Sequence, residues 1–335
     1  MTVVHCFTSA SFAYLDRARV LGETLRRFHP DWKLWLCLSD QEPPGFVFDP
    51  THEAFCNVVR LAELGIPDLT RWTFDHDVVE LCTAVKGQML CKLLDEGAEK
   101  VVYLDPDIAL LDDLSAIEAL LDRHNVVFTP HQIEPDDERS AIIDNEIGSL
   151  KHGIFNLGFL AVAGTPEGRR FARWWRDRLL AFCFDDIPNG LFTDQRWCDH
   201  APVFFDGVHI LRDPGYNVAS WNLSRRPITI AEDGTVRAAG QRLRFFHFTK
   251  VTHAGEIMLE RYAGGRIEVF ELMKWYRGRL AKHAVSGLPG SWWAYGLYTD
   301  GTAIAAKHRL AYRNDAGLRE RYPDPFAAGP RIFGR

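Results

Sequence analysis

Sulfur is sparse and unpatterned in this chain. Its seven cysteines are an odd, scattered set with no C-x-x-C pair, so neither a disulfide framework nor a zinc site is implied. A reducing cytosol suits such a sequence. No apolar run approaches the roughly 18 residues that argue a membrane span. Thr2-Val3-Val4-His5-Cys6-Phe7 enters a strand-like pattern without a basic leader or the apolar stretch of a signal peptide. A basic excess is missing too. Lys and Arg number 39 against 45 Asp and Glu, a net charge of −6, which argues against a nucleic-acid partner. Residues 5–20 hold no glycine, so the Gly-rich phosphate loop with which a nucleotidyltransferase opens is absent. There is no internal repeat and no low-complexity tract.

What is present is ordinary globular composition, 47% hydrophobic over 335 residues, enough for one large α/β domain or two smaller ones. The first half alternates. Residues 2–8 read as a strand, and 12–28 as a helix with Leu15, Ala18, Leu21, Gly22 and Leu25 on one face. Residues 33–39 read as a buried strand and Val58–Leu61 as a short one. A long helical pattern covers 78–96, and residues 100–104 form a further strand. This β-α-β-α-β order predicts an α/β fold with a mostly parallel, doubly wound sheet. In the second half, Val126–Thr129, Gly158–Ala163 and Leu243–Phe248 read as strands. Pro166–Phe184 reads as an amphipathic helix and 256–281 as a C-terminal one. The last fifty or so residues, rich in Gly and aromatics, read as an extension on a single domain.

The segment richest in chemistry is Val101-Val102-Tyr103-Leu104-Asp105-Pro106-Asp107. Side chains alternate along a strand, and Pro106 stops the strand and stiffens the turn, so Asp105 and Asp107 can converge at its carboxyl end. Ligands of open α/β sheets sit beyond that end. Paired carboxylates there suit a hard divalent cation that leaves positions for substrate phosphates; a plain acidic turn is the other reading.

Four further clusters stand at the ends of apolar segments. Lys86 precedes Gly87 on the helix before the Asp105 strand and reads as a site cation or a solvated helix lysine. Phe155-Asn156-Leu157-Gly158 puts an amide at a strand mouth, then a glycine that allows close approach, or forms a turn. Thr193-Asp194-Gln195-Arg196-Trp197 joins a carboxylate, an amide and an indole suited to sugar hydroxyls, with Asp194 as a helix N-cap the alternative. His247, in Phe245-Phe246-His247-Phe248, is a core imidazole unless a metal at Asp105 and Asp107 needs a third ligand, for which neutral imidazole suits Mn²⁺-like ions better than Mg²⁺.

In this order the pieces resemble the retaining, nucleotide-sugar-dependent glycosyltransferases of the GT-A fold, in particular family 8 and related bacterial enzymes of surface-polysaccharide synthesis. The resemblance covers about residues 2–275. Val101–Asp107 matches the family's D-x-D, Phe155–Gly158 its F-N-x-G, Asp194-Gln195 its D-Q pair and His247 its late histidine. Tyr216-Asn217-Val218-Ala219-Ser220-Trp221-Asn222 looks like the polysaccharide-synthesis branch.

The resemblance implies a GT-A (Rossmann-like) domain over residues 1–275, with a nucleotide-binding half to about 110 and an acceptor half over 111–275, then an extension over 276–335. It implies transfer of a sugar from a nucleoside-diphosphate sugar, UDP-sugar favoured, to a hydroxyl of a saccharide or glycoconjugate. Asp105, Asp107 and His247 would hold Mn²⁺ or Mg²⁺, and Thr8, Ser9 and Ala10 would contact the nucleoside. Lys86 would face the donor sugar or its phosphate, and Lys250 would help neutralise the diphosphate. Asn156 and Asp194 would hold sugar hydroxyls, and Gln195 would lie beneath the anomeric carbon, with Asp194 as a covalent nucleophile the competing mechanism. Two stretches differ from the family: Phe7-Thr8-Ser9-Ala10-Ser11 lacks an acidic residue for uracil, and His247-Phe248-Thr249-Lys250-Val251 lacks the usual glycine and Lys-Pro-Trp. A phosphohydrolase of the haloacid-dehalogenase type shares the D-x-D, but wants Thr or Val where Ala109 stands. A non-catalytic sugar-binding protein would need the aromatics without the metal site. The Arg- and Trp-bearing helix at 169–178 reads as packed in preference to resting peripherally on a membrane's inner face.

Overall fold

Period-two alternation of apolar residues builds the central sheet. In the computed structural model, which describes residues 2–249 and 253–334, strands β1 (Val4–Ala10), β2 (Lys33–Leu38), β3 (Asn57–Arg60) and β4 (Lys100–Leu104) lie parallel. A short β5 (Ile108–Leu110) follows, then β6 (Val126–Pro130) and β7 (Phe155–Ala163). From one edge the seven-stranded sheet runs Val208–Ile210, β6, β7, β4, β1, β2, β3. Only β7 is reversed, pairing antiparallel with both β4 and β6. This is the expected α/β architecture, a mostly parallel mixed sheet flanked by helices.

The two sheet faces carry separate apolar cores. Cys6, Leu34, Leu36, Val102, Leu104 and Val127 face α1 (Leu15–Phe28), which contributes Leu15, Ala18, Leu21 and Leu25. Phe7, Cys37, Val101, Tyr103 and Phe128 face α3 (Val78–Asp95) and the Pro166–Phe182 helix; α2 (Leu69–Asp75) precedes α3. These two helices meet closely because residue 87 is glycine: a Cβ there would stand 2.6 Å from Arg176 Cα. In β7 the alternation slips by one at Gly158, with Phe155 and Leu157 on the face of Leu160 and Val162, while Phe159 and Ala161 take the other. The register of β6 on β7 shifts over the same stretch, an irregularity of the sort that re-aims side chains near functional sites.

Beyond the sheet, β5 pairs antiparallel with Phe245–His247, His247 opposite Ile108. The expected helix at 256–281 is two, His253–Tyr262 and Glu268–His283. Gly264 and Gly265 take φ of +60° and +75° between them, a backbone that glycine adopts without steric cost. The second helix runs unbroken through residues 275 and 276. The extension then docks on α2, Arg319 meeting both oxygens of Asp75 at 2.7 and 2.8 Å and Arg309 donating to Phe74 O. It also reaches β2: Ala294 N–H donates to Asp40 Oδ1 (2.9 Å), an atom that also takes Gln41 N–H, while Phe12 N–H takes Oδ2. Among the described residues no helix is long and apolar enough to cross a membrane.

Candidate active site

β4 stops at Leu104 and its last pairing partner is Phe159, so Asp105, Asp107 and the first residues of β7 project past the same sheet edge. Asp105 N–H donates to Gly158 O (2.8 Å), and Ile108 N–H folds back to Asp105 O (3.1 Å). The β5 pairing continues as Phe248 N–H donates to Asp107 O (2.9 Å). This register carries His247 to the turn. Its ring is accommodated by Gly158, where a Cβ would lie 2.4 Å from His247 Cε1.

Asp105, Asp107 and His247 each offer one ligand atom, all within 4.8 Å of one another. His247 Nε2 lies 3.1 Å from Asp107 Oδ1 and 3.5 Å from Asp105 Oδ2. Three lone-pair donors facing each other repel unless a cation or a proton stands among them. Burial disfavours the His247 imidazolium, but Asp107 and then Asp105 override it and raise its pKa. Burial likewise pushes the Asp107 carboxyl up, and His247 reverses that to leave it below the ordinary range. Two carboxylates and one imidazole fit a divalent ion such as Mn²⁺.

Lys86 is a buried ammonium, not a solvated lysine. Its Nζ lies 3.1 Å from Asp105 Oδ1, 2.8 Å from Asp194 Oδ2 and 3.2 Å from Leu157 O. Burial works against its charge, but Asp105 and Asp194 outweigh burial and hold its pKa above the ordinary lysine value. Burial raises the Asp194 pKa, and Lys86 only partly offsets this. Tyr103 O–H also donates to Asp105 Oδ1. Asp194 is no N-cap: Thr193 O–H donates to its Oδ1 (3.1 Å). Gln195 is clamped between two backbone groups, donating to His152 O (2.8 Å) and accepting from Leu157 N–H (3.4 Å).

Asn156 lies within β7, and both its polar atoms have protein partners. Oδ1 accepts from Gly158 N–H and Asn217 Nδ2 (both 3.0 Å), and Nδ2 faces His131 Nε2 (3.2 Å). Burial keeps His131 neutral, its pKa pushed down to about 4. The structure thus gathers Asp105, Asp107, His247, Lys86 and Asp194, with Asn156 and Gln195 attached through Gly158 and Leu157. Thr8, Ser9 and Ala10 stand one strand away on β1 and are buried; Thr8 Oγ1 has no hydrogen-bond partner among the described residues. Lys250 lies outside the described residues.

Sequence reasoning assigned no role to Tyr103, His131, Asn217, Trp221 or Arg17. Trp221 sets its ring edge-on to His247 at 5.3 Å, and Arg17 is among the charges lowering the Asp107 pKa. Only the Tyr216–Asn222 stretch was visible as a motif. The cavity of about 610 Å³ among Arg19, Glu23, Arg26, Lys282 and His283 contains none of the converging carboxylates. Here charge and register, not hollow volume, mark the site.

No family model matches the sequence. The uncharacterized protein YfnD of Bacillus subtilis (strain 168) is 25% identical over 256 residues, 75% of this chain and 79% of that protein. Among solved structures, a galactosyltransferase LgtC in complex with donor and acceptor sugar analogs aligns at 13% identity and a TM-score of 0.45, covering 86% of this chain and 98% of that one. The glycosyltransferase GlyE of Streptococcus pneumoniae TIGR4 aligns at 15% identity and 0.44, over 84% of this chain and 63% of its own. A glycosyltransferase involved in glycosylation of the PBCV-1 major capsid aligns at 10% and 0.42, over 77% and 98%. Likenesses this distant assign no activity, and the function rests on the site.

Proposed function

We propose that the protein is a metal-dependent glycosyltransferase of GT-A type, moving a sugar from a nucleoside-diphosphate sugar to a hydroxyl of a saccharide or glycoconjugate. The observation that carries this reading is the convergence of Asp105, Asp107 and His247 within 4.8 Å at the carboxyl edge of the parallel strands. Asp105, Asp107 and His247 would hold a Mn²⁺ or Mg²⁺ ion. When bound, that ion supplies Lewis-acid stabilisation of the departing diphosphate.

The chain's own residues supply the rest. Lys86 pairs with two carboxylates, the half-buried Asp105 and the buried Asp194, and so ties the metal side of the site to Asp194. A carboxylate held ionised in a low dielectric stabilises positive charge developing at an anomeric carbon. We assign Asp194 that role. Gln195, locked to His152 O and Leu157 N–H, shapes the floor beneath the donor sugar, and Asn156 holds the neighbouring backbone in place. Thr8, Ser9 and Ala10 border the nucleoside, and Lys250 serves the diphosphate. Retention is what the family resemblance of D-x-D, F-N-x-G, D-Q and late histidine implies: the acceptor hydroxyl would attack from the leaving-group face, and the departing phosphate would take its proton. The likeness of the Tyr216–Asn222 stretch to the polysaccharide-synthesis branch supports a place in assembly of bacterial surface polysaccharide.

A panel of nucleotide sugars tests the reading by thermal shift and nucleoside-diphosphate release, each with and without Mn²⁺. A donor should raise the melting temperature by mass action and be turned over only with the metal. Equal release without metal, or from Asp105→Ala and Asp107→Ala, would sink it.

A further inference from the structure

Amide and imidazole orientations follow from the hydrogen-bond network, not from the outline of the side chain, and here two backbone groups fix a whole network. Gly158 N–H can only donate, so the Asn156 atom 3.0 Å away is its oxygen, and its NH₂ faces His131 Nε2 at 3.2 Å. That nitrogen must accept. The His131 proton is therefore on Nδ1, which faces Ile154 O at 3.3 Å, and a carbonyl can only accept. In the other direction, Asn156 Oδ1 also lies 3.0 Å from Asn217, so the Asn217 atom there is its NH₂, which also donates to Thr129 Oγ1 at 2.8 Å. Asn217 Oδ1 is then the atom 3.3 Å from His247 Nδ1, and that nitrogen must carry a proton. The lone pair of neutral His247 is left on Nε2, the nitrogen facing Asp105 and Asp107.

We propose that Asn217 is a positioning residue that sets the His247 tautomer, making Nε2 a metal ligand, through a chain of single polarity running from the Ile154 carbonyl to the metal site. The inference rests on the metal reading above and deepens it. Outer groups that hold a ligating histidine fix its ring and raise its basicity. The backbone agrees with this assignment. Asn217 has φ +52°, a left-handed conformation that Asn and Gly tolerate and bulkier residues resist, and its side chain is buried. The same chain ends at Ile154, whose N–H donates to Asp199 Oδ1 (2.8 Å).

The test compares wild type with Asn217→Gly, which keeps the left-handed backbone, and Asn217→Asp, which keeps an acceptor for His247 Nδ1–H. Nitrogen-15 NMR of metal-free protein, above the pH where His247 loses its extra proton, reads the tautomer; a His247→Gln spectrum assigns the signal. Wild type and Asn217→Asp should show the Nδ1–H form, and Asn217→Gly a shift toward Nε2–H. Mn²⁺ affinity, read by electron paramagnetic resonance of the free ion, should fall roughly 10- to 100-fold in Asn217→Gly and far less in Asn217→Asp. A wild-type Nε2–H tautomer, or unchanged tautomer and affinity in Asn217→Gly, would overturn the proposal. If wild type binds no Mn²⁺, the metal reading falls, and with it the ligand role; the tautomer spectrum then shows separately whether Asn217 sets the ring.

Discussion

Lys86 Nζ lies 2.8 Å from Asp194 Oδ2 and 3.1 Å from Asp105 Oδ1, so one buried ammonium balances two carboxylates. Breaking a buried ion pair on one side costs about 3–5 kcal/mol because the remaining charge has no partner. Lys86→Met should lose that much stability in urea unfolding near pH 7.5. The loss should shrink toward pH 5, because burial already raises the Asp194 pKa and removing the cation raises it further, so acid neutralises the orphan. Lys86→Met with Asp194→Asn should recover much of the stability. A Lys86→Met loss that is the same at both pH values would count against this account.

Asp105→Asn and Asp107→Asn keep the shape of the turn while removing ligand charge. Each should abolish the Mn²⁺-dependent part of the donor-induced thermal shift, and lower metal-dependent diphosphate release by about 10²–10³-fold, the scale of losing a group that stabilises developing charge.

Gly158→Ala tests the close approach of strand and imidazole. The new Cβ would lie 2.4 Å from His247 Cε1 and 2.6 Å from Nδ1, so the ring must move. Stability should fall by about 1–3 kcal/mol, as for overpacking, and Mn²⁺ should bind roughly tenfold more weakly. Calorimetric titration of the same sample measures both the stability-independent affinity and its enthalpy.

Asp40 gives the fold a pH dependence of definite sign. Burial pushes its pKa up to about 6, against the pull of the Ala294, Phe12 and Gln41 N–H groups. A carboxyl whose folded pKa exceeds its unfolded value gives its full stability below the unfolded pKa, and loses it as pH rises through the folded one. Relative to Asp40→Asn, wild type should therefore gain up to about 3 kcal/mol as pH falls from 7 to 4. The difference between the two proteins is the quantity to follow. His76, whose pKa burial lowers to about 3, acts in the opposite sense in both. A difference that is flat between pH 7 and 4 would refute the assignment.

The strand before Asp105 was legible to the residue, because four apolar residues, Val101 to Leu104, stand between Lys100 and the Asp105-Pro106 stop. The D-x-D, the D-Q pair and the late histidine were legible as types of residue in sequence order. Their mutual geometry was not. Lys86 reads as an ordinary helix lysine until the sheet brings Asp105 and Asp194 to it. Asn156 was expected at a strand mouth facing sugar, whereas the slip in β7 turns its amide toward Gly158, His131 and Asn217. Asn217 stood in a noted motif, but its partners lie 30 and 61 residues away in sequence, beyond any local pattern. The helix at 256–281 was over-extended because apolar spacing continues across Gly264 and Gly265, while the backbone there does not.

The single reversed strand has a consequence for how this scaffold can diversify. Because β7 runs against its neighbours, residues 131–154, which lead into it, emerge at the same rim as the ends of β4 and β1. A loop that enters a strand can be lengthened, shortened or replaced without rethreading the parallel core. With His131, His152 and Ile154 held by their contacts to Asn156, Gln195 and one another, the residues between His131 and His152 are the part of this rim that can change length while Asp105 and Lys86 keep their places.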